Sequence, residues 1–339
     1  PERRPRVRRP RVRRPRLASP AMAHVVLTWE LGGGLGHVGP LVPLARALAA
    51  RGHTVALVLR DLVQTAPLLA DAPGPCLQAA WLHQTAGLPA APVSAAEILL
   101  VNGYLDSGCL AGLARGWADL LALRRPDALV CDYSPTAVLA ARALGVPAVS
   151  VGSGFFIPPD QSPMPAFRDW EPVDAVRVRH AEQRALASAN QVLAARGAAP
   201  LPRLARLLRG DLALIRTWPE LDHYASRPAG PDETFVGPLL SAPGGVAPRW
   251  PAGDGPRVFA YLKAGHPDHA AVLRALDALG ARTVCYLPEV AAGKAPPVPS
   301  PRITYAPGAV DLPAAFAEAD LGVCHGGDAT VAQALLARV

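Results

Sequence analysis

The stretch 25–58, VVLTWELGGGLGHVGPLVPLARALAARGHTVALV, constrains the fold more than any other part of the chain. VVLTWE is an apolar run that reads as a buried strand. A loop of four glycines follows, Gly32, Gly33, Gly34 and Gly36, and ends on His37. Pro40 then opens a segment with Leu41, Leu44, Ala45 and Leu48 at helical spacing. Gly52 closes it, and VALVL begins a second strand. The result is a β-α-β unit whose first loop is almost free of side chains apart from one imidazole. Such loops lie at the carboxyl end of a parallel sheet, where α/β proteins bind their ligands.

Gly34, Gly36 and Gly39 also satisfy GxGxxG, and Asp61 ends the second strand where the ribose acid of a dinucleotide site would sit. Proline placement argues against that alternative. A dinucleotide helix already running by the second glycine would enclose Pro40 and Pro43, each costing about 3 kcal/mol inside a helix. A helix that begins at Pro40 holds both in its first turn, where they are tolerated.

The strand–helix alternation continues. A short helix is expected at 62–69, a strand at 77–82, an irregular loop at 84–94, and a largely helical stretch at 95–123 loosened by four glycines. DALVCD (127–132) is a strand, 134–144 a helix stopped by Gly145, and 146–154 a strand and loop. An irregular loop with exposed aromatics spans 155–165, one long helix covers 171–196, and strands fall at 212–217 and 233–238. A Pro/Gly-rich run, 238–256, reads as a linker, after which the pattern restarts. Strands are expected at 257–265, 282–288, 302–308 and 319–327, with helices at 268–279 and from 328. Continuous apolar strands imply parallel sheets covered on both faces. The expected domains are therefore a tail over 1–21, a first α/β domain over 22–237, the linker, and a second domain over 257–339. The second is short, ends in a helix without a capping signal, and reads as incomplete.

Charge does not mark a nucleic-acid binder. The net charge is +7, but residues 1–16 hold nine arginines against one glutamate, so the rest is close to neutral. That Arg/Pro tract cannot bury a core and reads as disordered, with Met22 as the natural start of the folded part. Five scattered cysteines without CxxC spacing read as buried thiols of a reducing cytosol. No run is long and apolar enough for a membrane span.

Three places at strand ends could carry chemistry. His37 is the titratable group of the glycine loop and a natural general base, or else a plain helix-terminal histidine. Asp132, after ALVC, could cap the helix that follows, or orient His37 if their strands are neighbours. His325, Gly326, Gly327 and Thr330 form a turn whose backbone N–H groups open a helix, an anion site suited to phosphate. Asp328 is an unwelcome charge there and is expected to point away. Gly265 could lend a further N–H. The HxxH at His266 and His269 has no third ligand nearby, and no metal is expected.

Together, GHVGPLVPLARALAARGHTV, the CD-plus-helix unit and HGGDAT resemble the GT-B glycosyltransferases. The chain is most similar to the UDP-glycosyltransferase-like enzymes acting on plant metabolites and bacterial macrolides. The resemblance implies α/β GT-B architecture, two Rossmann-like parallel-sheet domains, with the second incomplete. It implies that His37 deprotonates an acceptor hydroxyl and that Asp132 partners it. It also implies that His325, Gly326, Gly327 and Thr330 hold the diphosphate of a nucleotide-sugar, with Val310 near the base. Gly34, Gly36, Phe155 and Phe156 would border a small lipophilic acceptor. The implied reaction is inverting, needs no metal or cofactor beyond the nucleotide-sugar, which is expected to be a UDP-sugar, and takes place in the cytoplasm. The family's acidic-Gln pair and closing helix are not found after HGGDAT, so weak or absent turnover by this polypeptide is expected. The alternatives are a catalytically impaired fragment, a GT-B epimerase or an NAD-dependent oxidoreductase.

Overall fold

The computed structural model describes residues 22–33, 36–82, 91–168, 170–224, 227, 230–240 and 244–339. The expected tail over 1–21 lies outside them, as do Gly34 and most of the loop expected at 84–94.

The first half runs β1 (His24–Trp29), α1 (Val38–Ala49), β2 (Thr54–Leu59), α2 (Leu62–Leu69), β3 (Cys76–Gln78), α3 (Ala95–Leu99), α4 (Ser107–Arg124), β4 (Ala128–Asp132), α5 (Pro135–Leu144), β5 (Ala148–Gly152), α6 (Ala175–Ala195), α7 (Ala205–Arg209), β6 (Leu212–Ile215) and β7 (Glu233–Phe235). Its seven strands are all parallel, in the order β3-β2-β1-β4-β5-β6-β7. Alternate residues of each strand face opposite sides. Val26, Val58 and Leu129 therefore join the core under α4, α5 and α6, while Leu27, Trp29 and Leu57 pack beneath α1.

The second half runs β8 (Arg257–Tyr261), α8 (His269–Ala278), β9 (Arg282–Tyr286), α9 (Pro288–Ala291), β10 (Ile303–Tyr305), α10 (Leu312–Glu318), β11 (Leu321–Cys324) and α11 (Asp328–Ala337). These strands are parallel in the order β10-β9-β8-β11. Both halves thus repeat the Rossmann-like pattern, an α/β GT-B arrangement.

Several local expectations are corrected. The first helix begins at Val38, so Pro40 is its third residue and Pro43 lies inside it. Pro40 removes an N–H that has no intrahelical acceptor anyway, but Pro43 leaves the Gly39 carbonyl without its usual donor. Proline placement therefore does not distinguish the two readings of the glycine loop. Asp61 does, because its carboxylate caps α2, accepting from the Val63 and Gln64 N–H groups at 2.9 and 2.8 Å. The helical stretch at 95–123 breaks into α3 and α4 at Gly103, whose φ is +102°. Helices α7, α9 and α10 were not anticipated, being too short to show periodicity.

Part of the segment expected as a linker at 238–256 is held in place among the described residues. The Gly244 N–H bonds Asp311, Val246 bridges Val310, and Trp250 donates to Glu318, tying its later part to the second half. Helix α11 ends on a left-handed Arg338 that donates back to Leu335.

Helix α5 starts without a side-chain cap of its own. Glu30, just past β1, supplies one from another element, accepting the Thr136 N–H at 2.8 Å. Its carboxyl is 1% exposed, and burial pushes its pKa from 4.5 up to about 7, against the opposing pull of Thr136, Ala137 and Arg60. An acid with a raised folded pKa binds more protons folded than unfolded, so stability falls as pH rises from 4.5 through about 7. The loss is roughly 3 kcal/mol, at ~1.36 kcal/mol for each tenfold change in proton affinity. Glu30→Gln removes this dependence. Its unfolding free energy relative to the parent is expected to climb between about pH 5 and about pH 8. A gap that stays constant with pH would refute the assignment.

Candidate active site

The parallel sheet places the carboxyl ends of β1 and β4 side by side, with Trp29 in register with Asp132. This is the point at which strand order reverses, the usual ligand crevice of such sheets. His37 and Asp132, 95 residues apart, meet there. His37 Nδ1 lies 2.7 Å from Asp132 Oδ1, both groups buried. An ionised carboxylate only accepts, so Nδ1 donates to Asp132, and in the neutral ring that leaves Nε2 as the acceptor.

The imidazole sits in an aromatic box. Trp29 stacks on it at 5.5 Å between ring centroids, Tyr133 lies at 6.3 Å and Phe156 at 4.9 Å. Tyr133 adopts φ +49°, uncommon for an aromatic residue. That left-handed turn directs the chain out of β4 while the Tyr133 carbonyl accepts the Leu31 N–H at 3.0 Å. Gly32, at φ +81°, faces the Nε2 edge of the ring so closely that a Cβ there would come within 2.3 Å of Nε2. Glycine is required twice at that position, for its dihedral and for the space beside the basic nitrogen.

Asp132 does not cap α5, as one reading of the sequence allowed. Its second oxygen, Oδ2, accepts instead from Arg216 at 3.2 Å, and the carboxylate is fully buried. Arg216 was not anticipated, although the signal was there: it is the one charged residue of LALIRT, at a strand's carboxyl end, as Asp132 is of ALVCD.

Facing these groups is the turn after β11. Gly326 takes φ +80°, and Gly327 opens α11 without a side-chain cap, so the helix presents free N–H groups and its positive dipole end. Thr330 is buried in the first turn, and His325 packs edge-on against Tyr261 at 5.4 Å. Asp328 lies in the cleft, turned across to Ser153 of the first half. Although its side chain is exposed to the cleft, the walls from both halves crowd it. The resulting desolvation raises its pKa, with Ser153, Arg216 and His223 pulling the other way.

One cleft of about 930 Å³ is bordered by Gly36, His37, Phe156, Val310, Gly327 and Thr330, with Arg216 and His325 also on its walls. The sequence-expected residues are therefore largely brought together. Gly265 is not: its N–H is taken by Glu289 at 3.2 Å, and it is not on the cleft wall. Phe155 and Phe156 are half-buried, not exposed. Phe155 packs on Phe167 and His223 at 4.7 and 5.0 Å, behind Phe156. Of the cysteines, Cys131 and Cys285 are buried, whereas Cys76, Cys109 and Cys324 are only partly so. A second hollow, about 960 Å³, lies at the amino ends of the strands. Its Arg142 and Asp211 are engaged with backbone groups, and its Arg206 with Asp160 and Asp232.

Neither a protein-family model nor a curated protein sequence matches the chain. Solved structures do, and they share its GT-B fold. The glycotransferase of kitacinnamycin is 20% identical, with a TM-score of 0.65 over 94% of this chain and 80% of its own. The Streptomyces sp. SF2575 glycosyltransferase SsfS6, complexed with thymidine diphosphate, is also 20% identical, with a TM-score of 0.58 over 94% and 80%. The spinosyn rhamnosyltransferase SpnG, complexed with spinosyn aglycone, gives 20% and 0.58 over 94% and 79%. Among the described residues, no helix is long and apolar enough to cross a membrane.

Proposed function

We propose that the protein transfers a sugar from a nucleotide-sugar to a hydroxyl of a small lipophilic acceptor, with inversion at the anomeric carbon. The observation that carries this reading is the cleft itself. It sets a histidine whose Nδ1 is held by a buried carboxylate opposite an uncapped helix N-terminus.

The acceptor lies against Phe156 and the glycine loop, with its hydroxyl beside Nε2. His37 takes the hydroxyl proton as the oxygen forms its bond to the anomeric carbon. The bond from that carbon to the diphosphate oxygen breaks, and its electron pair leaves with the nucleoside diphosphate. The first-turn N–H groups of α11, His325 and Thr330 receive the departing charge, preorganised stabilisation where charge develops. Asp132 steadies the imidazolium until the proton returns to solvent. Attack and departure on opposite faces of the sugar give inversion.

The nucleotide is tested directly by calorimetry with UDP, thymidine diphosphate and their glucose conjugates. One or more of them is expected to bind in the micromolar to millimolar range, about 4 to 8 kcal/mol. Absence of heat with all four would overturn donor binding and leave an impaired fragment. Fluorescence enhancement of a reduced nicotinamide cofactor would instead favour the oxidoreductase alternative. Thymidine diphosphate is included because SsfS6 was solved with it.

A further inference from the structure

We propose that Arg216 is a positioning residue of this site, holding the Asp132 carboxylate in the orientation that lets Oδ1 engage His37. The inference rests on the catalytic reading of His37 given above.

Asp132 sits at the end of β4 with no exposed surface, so its two oxygens must find protein donors. They divide between two elements. Oδ1 meets His37, and Oδ2 meets the Arg216 NH2 group at 3.2 Å. Two donors from opposite sides fix both the position and the plane of a carboxylate; with Oδ2 alone unpaired, it can rotate away from the ring.

Arg216 is itself built into the sheet. Its backbone N–H donates to the Gly152 carbonyl at 2.7 Å, extending the β5–β6 pairing by one residue and setting the direction of its side chain. Its side chain is spent differently from those of its neighbours. Arg209 and Arg227 each bond a carboxylate and a backbone carbonyl. Among the described residues, the Arg216 side chain makes one hydrogen bond, to Asp132, and its Nε is buried without a partner. A buried unpaired donor is costly, so this placement favours the Asp132 contact over the internal satisfaction of the guanidinium. Arg216 also lies on the cleft wall, so a direct grip on the donor phosphates is the competing role.

Arg216→Ala separates the two. Displacing the carboxylate and with it the base is expected to lower kcat about a hundredfold, with the KM for the nucleotide-sugar within roughly twofold of the parent. Guanidinium ion at a non-denaturing concentration should restore most of the loss. The second readout needs no turnover. In protein labelled with ¹⁵N-histidine, the His37 Nδ1 proton, identified by its absence in His37→Gln, should give a protected resonance. That resonance should vanish in Arg216→Ala and return with guanidinium. A raised KM with kcat unchanged would make Arg216 a phosphate ligand. A resonance that survives the substitution would overturn the proposal outright. Arg216→Met, which keeps the side chain's length and packing, is read in the same way if the alanine variant does not fold. A wild-type protein that shows the protected resonance but transfers no sugar would sink the transferase reading and leave the Arg216 contact standing.

Discussion

His37→Ala is expected to lower kcat about a thousandfold while nucleotide affinity stays within roughly twofold, the mark of a lost general base. The expectation rests on where the two groups lie. His37 lies on the first half, in contact with Trp29, Phe156 and Asp132. The turn at Gly326 and Gly327, proposed to hold the diphosphate, lies on the second half. Removing the imidazole empties the aromatic box without touching the N-terminus of α11. The measurements are initial rates with saturating donor, and calorimetric titration of the diphosphate. Retained transfer would eliminate His37 as the base. A parallel loss of nucleotide binding would instead mean that the loop organises the whole cleft.

The strand-to-loop junctions were legible because chemistry there stands out against an apolar background. Asp132 after ALVC and His325 after LGVC are polar groups at the ends of apolar runs, and sheet topology puts such ends on one rim. The pairing of His37 with Asp132 followed only if β1 and β4 were neighbours, which no local pattern specifies; the register of Trp29 with Asp132 supplies it. Arg216 was missed because nothing in LALIRT tells which carboxylate a strand-end arginine will reach across the intervening β5. Gly265 failed for the opposite reason. Its loop is permissive, but an acidic residue 24 positions later claims the N–H.

The helix boundary at His37 shows how far sequence rules reach. Pro40 suggested the first helical position, yet α1 starts two residues earlier. The buried contact with Asp132 holds His37 at the N-cap position, and that tertiary bond outweighs the local preference against Pro43. The discriminating residue turned out to be Asp61, whose carboxylate is consumed by α2.

Glu233→Gln is expected to be the most destabilising conservative change in the first half. The Glu233 carboxylate is buried between two buried guanidinium groups, accepting from Arg209 at 2.6 Å and from Arg227 at 3.0 Å. Arg227 also pairs with Asp222 at 2.6 Å, and both arginines donate onward to the backbone. Arg209 bonds the Pro158 carbonyl, and Arg227 those of Gly154 and Ile157. The cluster thus fastens the segment that carries Phe156 against His37. Neutralising Glu233 leaves two buried cations facing one carboxylate and costs about 3–5 kcal/mol, because an uncompensated buried charge outweighs the modest net value of an intact pair. For a chain of 339 residues the melting temperature should drop by roughly 4–7 °C. In the proposed reaction the same change should raise the acceptor KM more than the donor KM, since Phe156 lies on the cleft wall against His37. A melting temperature within about 2 °C of the parent would show that the cluster is relieved by water or rearrangement. In that case the Phe156 segment is held by its packing alone, through Ile157 against Ala213 and Ile215.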